Sequence, residues 1–153
     1  MNFKLRGFIL SWVFFIYMAM ITGLAAANGA PWPQDLTISP TAPNIPADLA
    51  SFSGKWTTGL TSTMGIKIAF EKIAYSEFGL LKIDSVYAWN NRYFAAGWSR
   101  QPAQFNWKKV SFSIPDGNSL SGYIITCSIP KSDSMYCTYA GRFNGSLNLR
   151  REK

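Results

Sequence analysis

Glu71 and Asp84 are the carboxylates best placed to work as an acid–base pair, since strand parity puts both on outward positions of neighbouring strands. Paired carboxylates hydrolyse glycosides when they flank a cleft about 5–9.5 Å apart. The convex outside of a closed sheet offers no such cleft, and Lys67 and Lys82 are near enough in sequence to neutralise the pair. Histidine is absent, which removes Ser-His-Asp and Cys-His machinery together with the commonest zinc ligand. No enzyme activity, cofactor or metal is therefore expected.

Residues suited to binding are more plentiful. Tyr87, Trp89 and Tyr93 flank the turn signal Asn90-Asn91-Arg92, and Trp98 and Arg100 follow on the return strand with like parity. Flat aromatic faces beside Arg and Asn hydrogen-bonding groups suit a sugar ring or another planar, polar ligand. Tyr87 and Trp89 also share parity with Leu81 and Ile83. A second reading is thus open, in which those two continue the core while Tyr93, Trp98 and Arg100 carry the site.

These residues need a β scaffold, and the sequence describes one. Phe52, Gly54 and Trp56 share a face of a first strand, where Gly54 permits close approach and Trp56 fills a closed end. Met64, Ile66, Ile68 and Phe70 alternate with polar neighbours such as Lys67, and Leu81, Ile83, Ser85, Tyr87 and Trp89 form another face. Residues 93–100, a short run 102–105, then 110–114, 120–129, 135–141 and 145–150 complete the series, with Pro115-Asp116-Gly117-Asn118 as a strong turn. Pro102 is expected at an edge, a bulge or a strand start. Crossover helices are missing, so the fold is all-β: a small antiparallel up-and-down barrel of eight or nine strands, with an open sandwich as the alternative.

Outside that region the composition changes. Lys4 and Arg6 precede an uncharged apolar run over residues 8–24, and Ala25-Ala26-Ala27 offers a cleavage site, so residues 1–27 read as a secretory signal peptide. The run is long enough that an uncleaved anchor is the competing reading. Residues 28–50 hold Pro31, Pro33, Pro40, Pro43 and Pro46 and read as an extended, mostly unpaired linker with Trp32 exposed. The barrel domain then spans residues 51–153.

Without the leader, 13 basic residues face 8 acidic ones, a net +5. That balance favours anionic surfaces, but the only clusters, Lys108-Lys109 and Arg150-Arg151-Glu152-Lys153, are too dispersed for nucleic acid and read as solvated ends. No membrane contact is expected once the leader is gone. A hairpin loop 130–134 centred on Ser132 sets Cys127 opposite Cys137, Ile125 opposite Tyr139 and Ile129 opposite Met135. Opposed strand positions lie within disulfide reach, and an exported chain meets oxidising conditions, so one structural disulfide is expected.

The string Gly54-Lys55-Trp56 resembles the first strand of calycin-like barrels of the lipocalin and avidin type. The resemblance implies a basic residue of the last strand lying over the Trp, and Arg151 shares a face with Leu147 and Leu149 to fill that role, Arg150 being second. More closely, residues 50–151 resemble an uncharacterised exported bacterial β-domain through Phe52-Ser53-Gly54-Lys55-Trp56, Val86-Tyr87-Ala88-Trp89-Asn90 and Gly97-Trp98-Ser99-Arg100-Gln101-Pro102-Ala103. Asn90 stands where that domain usually has Gly. The resemblance implies a secreted or periplasmic setting and no activity. The functional expectation is a non-catalytic binding module for a small ligand, a glycan or a protein surface. The alternative is an accessory or inhibitor domain docking on an exported hydrolase.

Overall fold

The computed structural model describes residues 29–59, 65–91, 94–114 and 122–153. One short helix, α1 (Ala47–Ala50), precedes eight strands: β1 (Gly54–Thr58), β2 (Gly65–Tyr75), β3 (Leu81–Asn91), β4 (Phe94–Asn106), β5 (Lys109–Ser113), β6 (Ile124–Ser128), β7 (Ser134–Ala140) and β8 (Gly145–Arg151). Each pairs antiparallel with its sequence neighbour, and β8 returns to β1 through Trp56 opposite Arg151, closing an up-and-down barrel. The leader residues 1–27, together with Tyr93 and the turn at 115–118, lie outside the described residues.

Alternation fills the barrel from every strand. Ile66, Ile68 and Phe70 of β2, Ile83 and Tyr87 of β3, and Val110 and Phe112 of β5 are buried with Trp56, Ile125, Met135 and Leu149 in one cluster. Phe52, Phe70, Phe105 and Phe112 meet edge to face at centroid distances of 5.6 to 6.5 Å, the arrangement ring quadrupoles favour. Cys127 and Cys137 are directly opposed and bonded, with Cα atoms 4.0 Å apart. Ile125 opposes Tyr139 as expected. Among the described residues Ile129 and Met135 are not a ladder pair, because the hairpin closes on a Lys131–Ser134 bridge around Ser132-Asp133.

Two expectations change. β4 is one unbroken strand through Pro102, not two short ones. Pro102 is tolerated because it pairs with Asp84 of β3 but lies beyond the last β4–β5 pair, Gln104 with Ser111, where the strand has an open edge. The second change concerns the proline-rich segment. Its described part, residues 29–50, is not a free spacer but a strap packed along the barrel. Ala30, Ile45 and Leu49 are buried, and Ile45 and Leu49 join the main cluster beside Phe52.

Physical reasons for the docking are visible on both sides of the contact. β2 carries a bulge at Glu71, between the pairs Phe70–Ser85 and Lys72–Asp84. The Glu71 carbonyl, displaced from the ladder, accepts the Ser39 N–H at 2.7 Å. Ala69, Val86 and Ala88 point outward by parity on β2 and β3 yet have no exposed surface, since the strap crosses the sheet there. Prolines suit such a strap: they lack an N–H to satisfy and lose little entropy on ordering.

Leu49 is 1% exposed, so Leu49→Ala removes a core side chain and should lower unfolding free energy by about 2–4 kcal/mol. Chemical denaturation measures it. A spacer residue would leave the midpoint unchanged.

Candidate functional site

The sequence-predicted rim separates into an inner and an outer half. Tyr87 and Trp89 project inward and are buried, stacked on each other at 5.7 Å with planes 22° apart. Trp89 donates its indole N–H to the Ala95 carbonyl at 2.8 Å and lies across Gly97, directly opposite on β4. A Cβ at Gly97 would meet the Trp89 ring at 2.7 Å, so glycine there is a packing requirement. These two aromatics are core, and a ligand would have to open the barrel to reach them.

Trp98 and Arg100 project outward. Trp98 is 42% exposed, with the Arg100 guanidinium 5.3 Å from its ring centroid. Arg100 grips Glu71 with two parallel bonds, Nε to Oε2 at 2.9 Å and Nη2 to Oε1 at 3.1 Å. Its Nη2 also donates to Asp35 Oδ1 of the strap at 2.9 Å. Hydrogen bonds donated to both carboxylates, Glu71 first, hold the guanidinium in its charged form even more firmly than usual. Arg100 in turn lowers the Asp35 pKa through its hydrogen bond. An arginine so engaged is a clasp for the strap before it is a ligand contact.

Beside the clasp lies an open groove of about 360 Å³, lined by Glu71, Asp84, Ser85, Arg100, Gln101 and Pro102. Glu71 and Asp84 do share this groove, but Arg100 holds the first and Lys82 lies 3.5 Å from the second. Two carboxylates tied to cations make a weak general acid–base pair. Among the described residues no group of three His, Cys, Asp or Glu side chains is placed to hold a metal ion.

A second fastening was missed from sequence. Trp32 donates its indole N–H to Glu152 at 2.8 Å, Lys67 sits 5.1 Å above the Trp32 ring, and Lys67 and Glu152 pair at 3.4 Å. The available signal was the run of outward apolar positions at Ala69, Val86 and Ala88, which a solvated face would not need. At the closed end, Gly54 has φ +123°, and Arg151 passes so close that a Cβ there would meet Nη1 at 2.6 Å. Arg151 lies 4.1 Å over the Trp56 ring and donates to the Ser53 and Ser51 carbonyls at 2.7 and 2.9 Å.

The clasp predicts a pH response. Asp35 has a lowered pKa when folded, so its contribution is present above the ordinary aspartate range and is lost as pH falls through the lowered value. Amide protection factors over residues 29–40, corrected for the intrinsic rate, should fall below about pH 4 in the wild type. Arg100→Ala should show fast exchange at neutral pH as well, and Asp35→Asn should remove that group's share of the pH dependence. Unchanged Ser39 protection in Arg100→Ala would contradict the clasp. Compared with protein-family models, curated proteins and solved structures, the chain matches none.

Proposed function

We propose that this chain is a calycin-like, exported, non-catalytic binding module that engages its partner with the outside of the barrel. The observation that carries it is where the large side chains go. Trp56, Phe52, Phe70, Phe112, Tyr87 and the Cys127–Cys137 bridge occupy the interior, space that a ligand-carrying barrel leaves open. Phe78, Leu80, Trp107 and Phe143 stand exposed at the hairpin turns instead.

The calycin-like assignment is supported by Gly54, Trp56 and Arg151 meeting at the closed end. The disulfide, the signal-like leader and the net positive charge support export to the periplasm or medium. Docking on an exported hydrolase as an accessory or inhibitor domain remains the second form of the same proposal, favoured by the exposed turns at the two ends of the barrel.

Titration with fatty-acyl, retinoid and haem-type ligands tests the exterior mode. Tryptophan fluorescence should stay unchanged, while cross-linking in the exported fraction should trap a complex through the barrel surface. Stoichiometric quenching by one of these small ligands would replace this function with interior carriage.

A further inference from the structure

The two basic clusters of the sequence lie far apart along the chain, but the fold delivers them to the same end of the barrel. The β4–β5 turn holds Lys108 and Lys109, and Lys108 reaches Asp48 of α1 at 3.8 Å. The C-terminal end of β8 lies at that end too, where the Arg151 N–H donates to Asp133 of the β6–β7 turn at 2.8 Å. Antiparallel order places the β2–β3 turn there as well. β3 and β4 are paired neighbours as far as Ile83 opposite Ala103, so the turn that precedes β3 and the turn that follows β4 are adjacent. Two neighbouring hairpin tips therefore stand side by side.

Those tips carry the three most exposed large apolar side chains among the described residues: Trp107 at 88%, Phe78 at 81% and Leu80 at 70%. The Trp107 turn is also costly to form. It has two central residues between the paired Asn106 and Lys109, with φ 49° at Trp107 and 62° at Lys108. Such a turn is the natural place for Asn-Gly, and left-handed Trp and Lys both lower stability there. The exposed indole recovers none of that loss by burial within this chain. Strain combined with exposure points to a role outside the fold.

Charge identifies what covers this end. Every described carboxylate except Glu77 has a cationic partner at ion-pair distance. Lys109, Lys131, Arg150 and Lys153, all at this end, have no carboxylate partner among the described residues, and they outnumber the one unpaired carboxylate there, Glu77 of the β2–β3 turn. Apolar side chains on separate convex tips, backed by unneutralised lysines, match a soft anionic interface better than a rigid protein groove. Trp is moreover the side chain most at home at headgroup depth.

We propose that this end of the barrel docks on an anionic phospholipid surface. Trp107, Phe78 and Leu80 enter the headgroup region, and Lys109 and Lys131 meet the phosphates. This rests on the exterior-binding function above and names its partner. It also revises the expectation of no membrane contact, because the fold gathers charge that is dispersed in sequence.

The test is co-sedimentation of the exported protein, its N-terminus read by mass spectrometry, with phosphatidylcholine vesicles made with and without phosphatidylglycerol. Binding should require phosphatidylglycerol and weaken with salt. Lys109→Gln with Lys131→Gln should weaken it by about fivefold per lysine. Trp107→Asn with Lys108→Gly installs the preferred turn, so this variant should melt several degrees higher yet lose at least tenfold in vesicle binding. No binding to either vesicle overturns the proposal, as does binding unchanged in these variants, which would assign the affinity to another part of the chain. If vesicles fail while surface cross-linking still traps a protein, only the lipid partner is wrong. If vesicles fail and a small ligand quenches stoichiometrically, the exterior mode falls with it.

Discussion

The contact on which the rest of the structure depends is the Arg151 guanidinium lying over the Trp56 ring. It joins the last strand to the first, so it sits on the seam that closes the barrel. The same guanidinium donates to the carbonyls of Ser51 and Ser53, and the Trp56 indole donates to the Phe52 carbonyl at 2.8 Å. Three backbone acceptors between α1 and β1, a stretch outside any ladder, thereby gain partners. Gly54 makes room for the arginine and takes the positive φ that steers the chain into β1. One cation, one indole and one glycine thus hold seam, strap and first strand together.

The strap inherits its position from that end. With α1 anchored by Leu49 and Ile45 in the cluster that holds Phe52, residues 29–40 run along the outside of β2 and β3. Three unlike contacts fix them there: an indole between a lysine and a glutamate, a backbone bond to a bulge carbonyl, and an arginine shared between two acids. Surface ion pairs alone would contribute little. Here they border a strip of small apolar side chains, Ala69, Val86 and Ala88, whose burial adds a hydrophobic contribution. The Arg100 region is consequently occupied by this chain's own strap, while the β2–β3 and β4–β5 hairpins leave Phe78, Leu80 and Trp107 exposed.

Much of this was legible in the residues. Period-two alternation, with apolar Ile66, Ile68 and Phe70 against polar Lys67, has one explanation, and eight such runs without crossover helices leave few topologies. The Cys127–Cys137 pairing followed from a turn and a parity. The strap was hidden because proline content dominates its composition, while its anchors Ile45 and Leu49 are isolated apolar residues with no period to reveal them. Parity could not separate Trp89 from Trp98 by role, since inward and outward aromatics look alike until the ladder says which face is closed. Nor could it show that Lys108 and Arg150 share an end, which only the topology fixes.

The central claim, that Arg151 locks the seam over Trp56, is tested most directly by the unfolding free energy of Arg151→Met. Methionine keeps much of the stem's bulk and removes the charged donors. Losing two charge-assisted hydrogen bonds and a cation–π contact from a partly exposed site should cost about 2–4 kcal/mol. A midpoint and slope indistinguishable from wild type in urea would contradict it, leaving closure of the barrel to the strand ladder and the core alone.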